Sequence, residues 1–175
     1  MKEIAVKEPE VKKVVLGRLE LCQSSFSDLV SLLDEETAQQ KSIITKRSLK
    51  AVVAHLVISM EIAYPMFIAK ARKNKAMPRF FGTALGHWVS FKLSERRASR
   101  ESLKALLAAY DVAHFKLVQL IEELSDDEWI LSSVIPKPRN ERLTIQDFFC
   151  THIPRHLEAH RSEIEKTLES LSLAS

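Results

Sequence analysis

The sequence predicts an all-α protein, and a four-helix bundle in particular. Four long segments place apolar residues three or four positions apart, the period of a helix with one buried side. The chain holds only three glycines while Leu, Ala, Lys and Glu are abundant, which favours helices over a loop-rich β fold. Its 175 residues, 46% hydrophobic and 28% charged, suit one domain, residues 1–175, with a sizeable core.

The first helix is set by Val11, Val15, Leu19, Cys22, Phe26, Leu29 and Leu33, and the polar run DEETAQQKS ends it. A second opens near Ser48 and runs to about Asn74 on Leu49, Val52, Val53, Leu56, Met60 and Ala63. Pro65 should kink it, because proline lacks a donor and clashes with the turn before it. The stretch KAMPRFFGTALGHWVSFKLSERRAS has no clean period and reads as a long connection with room for a short helix. The third helix carries Leu103, Leu106, Leu107, Tyr110, Ala113, Leu117, Val118, Ile121 and Leu124 on one stripe. SDDE from Ser125 then has the form of a capping box. Pro136, Pro138 and Asn140 mark a loop, and Thr144 with Asp147 caps the fourth helix. Phe149, Ile153, Leu157, Ile164, Leu168 and Leu171 form its buried side.

The net charge of +3 is mild, and the aromatics Phe80, Phe81, Trp88 and Phe91 form no RNA-binding motif, so no nucleic-acid partner is expected. Residues 70–100 are locally basic, from Lys70 to Arg100 with Glu95 as the one acid; this suits either attraction of an anion or a solvated face. Cys22 and Cys150 fit no C-x-x-C motif and read as free thiols. MKEIAVKEPEVKK lacks the apolar core of a signal peptide, and no run reaches the roughly 20 apolar residues of a membrane span. A cytoplasmic protein without a membrane partner is expected.

The chemistry-bearing stretch is HIPRHLEAH, residues 152–160, with His152, His156 and His160 four apart. Imidazoles at i and i+4 can meet one cation, whereas i and i+8 lie roughly 12 Å apart along the axis. His156 therefore pairs with His152 or with His160. Pro154 makes the first spacing irregular, and the intervening LEA keeps the second regular, which favours His156 with His160. His152 becomes a pocket-lining or outer residue. Two nitrogens make a weak site, and His55, in the apolar stripe VVAHLVISM, is the best third ligand. The same residues suit a plainer reading, with His55 a hydrogen-bonded core histidine and the stripe a solvated face among Arg155, Glu158 and Arg161. A zincin is excluded, since Ile153 and Leu157 stand where its glutamate belongs. A di-iron bundle is excluded too: Asp111-Val-Ala-His114 is one imperfect match and reads as a polar pair. His87, in GHW, reads as a turn residue or a pocket-mouth residue.

AHL at 54–56 together with HLEAHRSEI at 156–164 resembles the DinB-like (DinB/YfiT) superfamily of metalloenzymes, whose last helix commonly reads H-x-x-x-H-x-G-Q-I. The matching positions are His156, His160 and Ile164. The resemblance implies an up-down-down-up bundle with a long crossover between the second and third helices. It also implies a divalent metal, zinc or nickel first and manganese or iron next, on His55, His156 and His160. Relatives include transferases and isomerases that use low-molecular-weight thiols, and homodimers are common. Two positions depart from the pattern: Lys46-Arg47-Ser48 replaces the usual Trp-Ser or Trp-Thr, and Ser162-Glu163 replaces Gly-Gln.

Three neutral imidazoles leave a coordination position open, the arrangement of catalytic metals. A thiol bound there loses its proton and becomes a nucleophile, and water becomes a hydroxide source. The sequence thus favours thiol-dependent S-transfer or isomerisation of a small molecule, followed by metal-dependent hydrolysis. The rival class is a non-enzymatic binding module with structural histidines. No carboxylate is assigned as general base.

Overall fold

The computed structural model describes residues 8–136 and 140–173; Pro138, the first seven residues and the last two lie outside them. Six helices are described: α1 (Glu8–Ser31), α2 (Glu35–Gln39), α3 (Leu49–Arg72), α4 (Ala84–Ala98), α5 (Leu103–Glu122) and α6 (Ile153–Ser172). Their starts carry the expected chemistry. Asp34, Ser48, Thr83 and Ser102 each accept a backbone N–H of the first turn of α2, α3, α4 and α5.

The core is built from the predicted stripes. Val15, Leu19, Phe26 and Val30 of α1 meet Leu106, Tyr110 and Leu117 of α5 and Ile153, Leu157 and Ile164 of α6. Helix α3 packs on α4 and α5, while its direct contact with α6 is sparse. By length and composition α3 is apolar enough to cross a membrane, which the sequence reading did not expect; 61% of that window is buried within the bundle. The short α2 acts as a clamp, since Glu35 binds Lys50 of α3 at 3.0 Å and accepts the Leu103 N–H of α5 at 2.5 Å.

Three features differ from the sequence reading. The connection 73–102 contains a full helix, α4, entered through a 3-10 turn at Arg79–Gly82. Gly86 allows the turn to lie against the helix, because a Cβ there would meet the Phe80 carbonyl oxygen at 1.8 Å. His87 accordingly sits on α4 and not in a turn. The loop after α5 includes an antiparallel hairpin, Ser132–Ile135 with Glu141–Thr144, which short segments without clean alternation did not announce. Finally, Pro65 and Pro154 each follow a π-turn, Ser59–Ala63 and Phe148–His152, and each occupies the first turn of the α-helical stretch beyond it. The wider i→i+5 turn re-spaces the ladder just before each proline, where the ring supplies no donor.

Candidate metal centre

The structure brings His55 of α3 together with His156 and His160 of α6. The Nε2 atom of His156 lies 3.2 Å from that of His55 and 3.2 Å from that of His160. One candidate ligand atom from each ring falls within 4.8 Å of the others. Nitrogens about 2.0–2.1 Å from a tetrahedral zinc are about 3.3 Å apart, so both 3.2 Å separations match a shared cation. The sparse packing of α3 on α6 leaves the gap that these rings fill.

Each ring is also held from behind. Nδ1 of His55 meets the Ser90 hydroxyl of α4 at 3.1 Å, and Nδ1 of His156 meets the Tyr64 hydroxyl at 2.7 Å. Nδ1 of His160 meets Glu163 Oε2 at 2.8 Å. When these Nδ1–H groups donate outward, all three Nε2 lone pairs face inward, the tautomer a metal requires. Glu163 in turn accepts from Thr45 Oγ1. Burial alone would push Glu163 up, but hydrogen bonds from His160, Ser42 and Thr45 pull it down to about 2, so it is a carboxylate. Burial, and then the neighbouring His156 and His160, lower His55 from 6.5 to about 2, which keeps its ring neutral. Burial pushes the Tyr64 phenol upward, so it too is neutral. The donor set fits a divalent cation, with one carboxylate outside it.

His152 stands apart from the cluster. As the last residue of the π-turn, its ring stacks on Phe148 at 5.2 Å, and Phe148 packs edge-on against Tyr64. Sequence reasoning did not single out Ser90, Tyr64, Thr45 or Glu163 as supports of the rings. Tyr64 is nine residues beyond His55, which on an ideal helix is about 180° around the axis. The π-turn inserts one residue, bringing the offset to about 80°. For Glu163, the i,i+3 spacing from His160 was a readable signal.

Cys22 and Cys150 are both free. Asp111 and His114 bond to α1 separately: Asp111 accepts from Gln23 at 2.8 Å, and His114 Nε2 lies 3.2 Å from the Leu19 carbonyl oxygen. The basic stretch is partly neutralised, since Arg72 pairs with Glu128, and Arg97 with Glu61 and Glu101.

Bundle and site together define a helical protein with a three-imidazole cluster between two helices. The DinB superfamily model matches residues 18–164, and the chain belongs to that superfamily. No curated protein matches the sequence. Among solved structures, YfiT from Bacillus subtilis, described as a probable metal-dependent hydrolase with an unusual four-helix bundle topology, is 16% identical with a TM-score of 0.69. That match covers 97% of this chain and 93% of YfiT. A mycothiol-dependent maleylpyruvate isomerase is 16% identical with a TM-score of 0.69; the match covers 87% of this chain and 60% of the isomerase. The colibactin self-resistance protein ClbS, solved with double-stranded DNA, is 18% identical with a TM-score of 0.64 over 95% of this chain and 98% of its own. ClbS corrects the expectation that nucleic acid is excluded, because a protein of this fold is found on DNA. The exclusion rested on total charge and on RNA motifs, and neither limits a local basic surface that meets phosphates.

Proposed function

We propose that this protein is a metal-dependent enzyme in which His55, His156 and His160 hold a divalent ion. Its reaction is thiol-dependent transfer or isomerisation of a small molecule. The observation that carries the reading is the two 3.2 Å Nε2 separations, with every Nδ1 engaged by an outer partner. Structural histidines have no need to converge nitrogen on nitrogen, since lone pairs brought together repel unless a proton or a cation lies between them.

A bound cation supplies a low-pKa thiol or water at the open position. The chain's own groups do the rest. Ser90 and Tyr64 fix ring orientation, and Glu163 raises the basicity of His160 and offsets part of the ion's charge. The apolar walls around α3 restrict water. Zinc or nickel suits three imidazoles best, with manganese and iron next. His152, on the Phe148 face of Tyr64, is a pocket residue in this reading. The reading includes one domain with an up-down-down-up helix order and residues 73–102 as the crossover. The placement of Ser90 against His55 supports a crossover that serves the site.

Hydrolysis is the second reading, supported by the likeness to YfiT; a hydrolase uses the same ligands with water in the thiol's place. Elemental analysis of untagged protein tests the common core. About one equivalent of metal is expected, lost in His156→Ala; a protein that takes up no Zn, Ni, Mn or Fe defeats the reading. Thermal shifts of the loaded protein with glutathione and other small thiols then separate the two reactions. A shift specific to thiols supports transfer, and its absence favours hydrolysis.

A further inference from the structure

Arg47 stands just before Ser48, the residue that caps α3. Its residue exposure is 8%, and its Nε has no hydrogen-bond partner. Among the described residues no carboxylate lies within ion-pair distance of it. The two acids nearest in electrostatic reach are already engaged: Glu163 holds His160 and Thr45, and Glu95 accepts from the Ser48 N–H at 2.9 Å and the Ser48 hydroxyl at 3.2 Å. Tyr110 and Trp129 also bury an unpartnered polar atom, but those are neutral groups, and Arg161, whose Nε lacks a hydrogen bond as well, pairs with Glu158 and Glu165. Arg47 is a cation, and a largely buried cation without an ion-pair partner is far more costly.

Its place is next to the histidines. The guanidinium carbon lies 5.8 Å over the ring of Phe91, the residue after the Ser90 that holds His55. Its charge is felt at His55, where it adds to the downward shift, and at Glu163. A guanidinium lying over an aromatic face keeps its in-plane donors available for a planar anion. The loop that presents it is tightly closed. Ser42 N–H donates to the Arg47 carbonyl at 2.7 Å, Ser42 Oγ accepts the Ile44 and Thr45 N–H groups, and Lys46 adopts a left-handed φ of 62°. The cation is therefore positioned before any ligand arrives.

We propose that Arg47 anchors a carboxylate of the small molecule that binds beside the three histidines, which makes that molecule an organic anion. Its location beside a reacting centre rests on the metal-enzyme reading; the anion site itself does not. The carboxylate belongs either to the thiol or to the second substrate, and both share this chemistry.

Calorimetric titration of zinc-loaded and metal-free protein tests it with four probes: glutathione, cysteamine (a thiol without a carboxylate), succinate and succinamide. The wild type is expected to bind succinate in preference to succinamide. Arg47→Met should weaken succinate, glutathione or both by about 10- to 100-fold, the loss of a charge-assisted hydrogen bond. Cysteamine affinity and zinc content should stay unchanged. Loss for glutathione alone assigns the carboxylate to the thiol, and loss for succinate alone assigns it to the other substrate. Arg47→Lys, which keeps the charge and loses the fork, should fall between, and it carries the test if the Met variant does not fold. Binding of both glutathione and succinate that the variants leave undiminished overturns the proposal, as does a wild type that neither prefers succinate to succinamide nor binds glutathione more tightly than cysteamine. Arg47-dependent succinate binding in a protein that takes up no zinc defeats the metal reading and leaves the anion site standing.

Discussion

Two regions of this bundle bury imidazoles, and they do so differently. On the α1–α5 side, burial pushes His114 below its ordinary value, and its Nε2 meets one backbone carbonyl, that of Leu19. Between α3 and α6, three rings turn Nε2 toward one another and Nδ1 toward Ser90, Tyr64 and Glu163. A histidine that ties two helices together needs one partner. Rings set edge-on to one another, nitrogen facing nitrogen and oxygen behind each, make sense when something electron-poor occupies the middle. The contrast shows that burial alone does not set the cluster apart; the convergence of ring nitrogens does.

Substitutions break the comparison most sharply. Removing a proposed ligand with His55→Ala or His156→Ala should lower metal affinity by more than the roughly 100-fold that loss of an outer partner causes. His114→Ala should leave metal uptake intact and cost only about 1–3 kcal/mol of stability, for a buried carbonyl left without its donor. Equilibrium metal titration and urea unfolding measure the two. Equal metal loss in both variants would erase the distinction.

The outer partners come next. Glu163→Ala should reduce metal affinity by about 10- to 100-fold, and Tyr64→Phe should sit near the lower end of that range. A Glu163→Ala protein that binds metal as tightly as the wild type would show the carboxylate to be a packing feature only.

The smallest effect is on pH. In metal-free protein the folded-state pKa of His55 is depressed, from 6.5 to about 2, so the unfolded chain binds more protons between those values. Stability should therefore fall as pH drops below 6.5, by at most about 1.4 kcal/mol per pH unit for this one group. Glu163, lowered from 4.5 to about 2, acts in the same direction but only below pH 4.5. Unfolding curves between pH 7 and 5 leave Glu163 out but include His114, which burial also lowers, so the share of His55 is the part of the slope that His55→Gln removes. A profile unchanged by that substitution would place the proton linkage elsewhere.

Much of this was legible in the chain. The apolar stripes of α1, α3, α5 and α6 mark which residues are buried, because helical period and burial share one geometry. Ser48 announces the start of α3 through local hydrogen bonding, and Thr144 that of the short turn Ile145–Asp147, which leads through the π-turn into α6. His156 and His160 meet because i,i+4 spacing on a regular stretch leaves little choice. Pro65 and Pro154 were visible as interruptions, but their consequence was not: whether a ladder kinks or widens into a π-turn depends on what packs against it. Helix α4 was hidden by its composition, since its apolar residues largely face solvent, with Leu85, Trp88 and Leu93 at 63%, 57% and 46% exposure.

By itself, then, the sequence determined the helical class, most helix boundaries, the core stripes and the local histidine pair. Those follow from interactions within a few residues or from periodicity along a single helix. Only the tertiary structure decided that His55 meets that pair 101 residues away, that Ser90 and Tyr64 stand behind the rings, and that Arg47 is buried with no hydrogen-bond partner for its Nε. Such relations depend on how helices rotate and approach one another. That is set by the packing of the whole core and by one-residue shifts at the π-turns, quantities that no local pattern encodes.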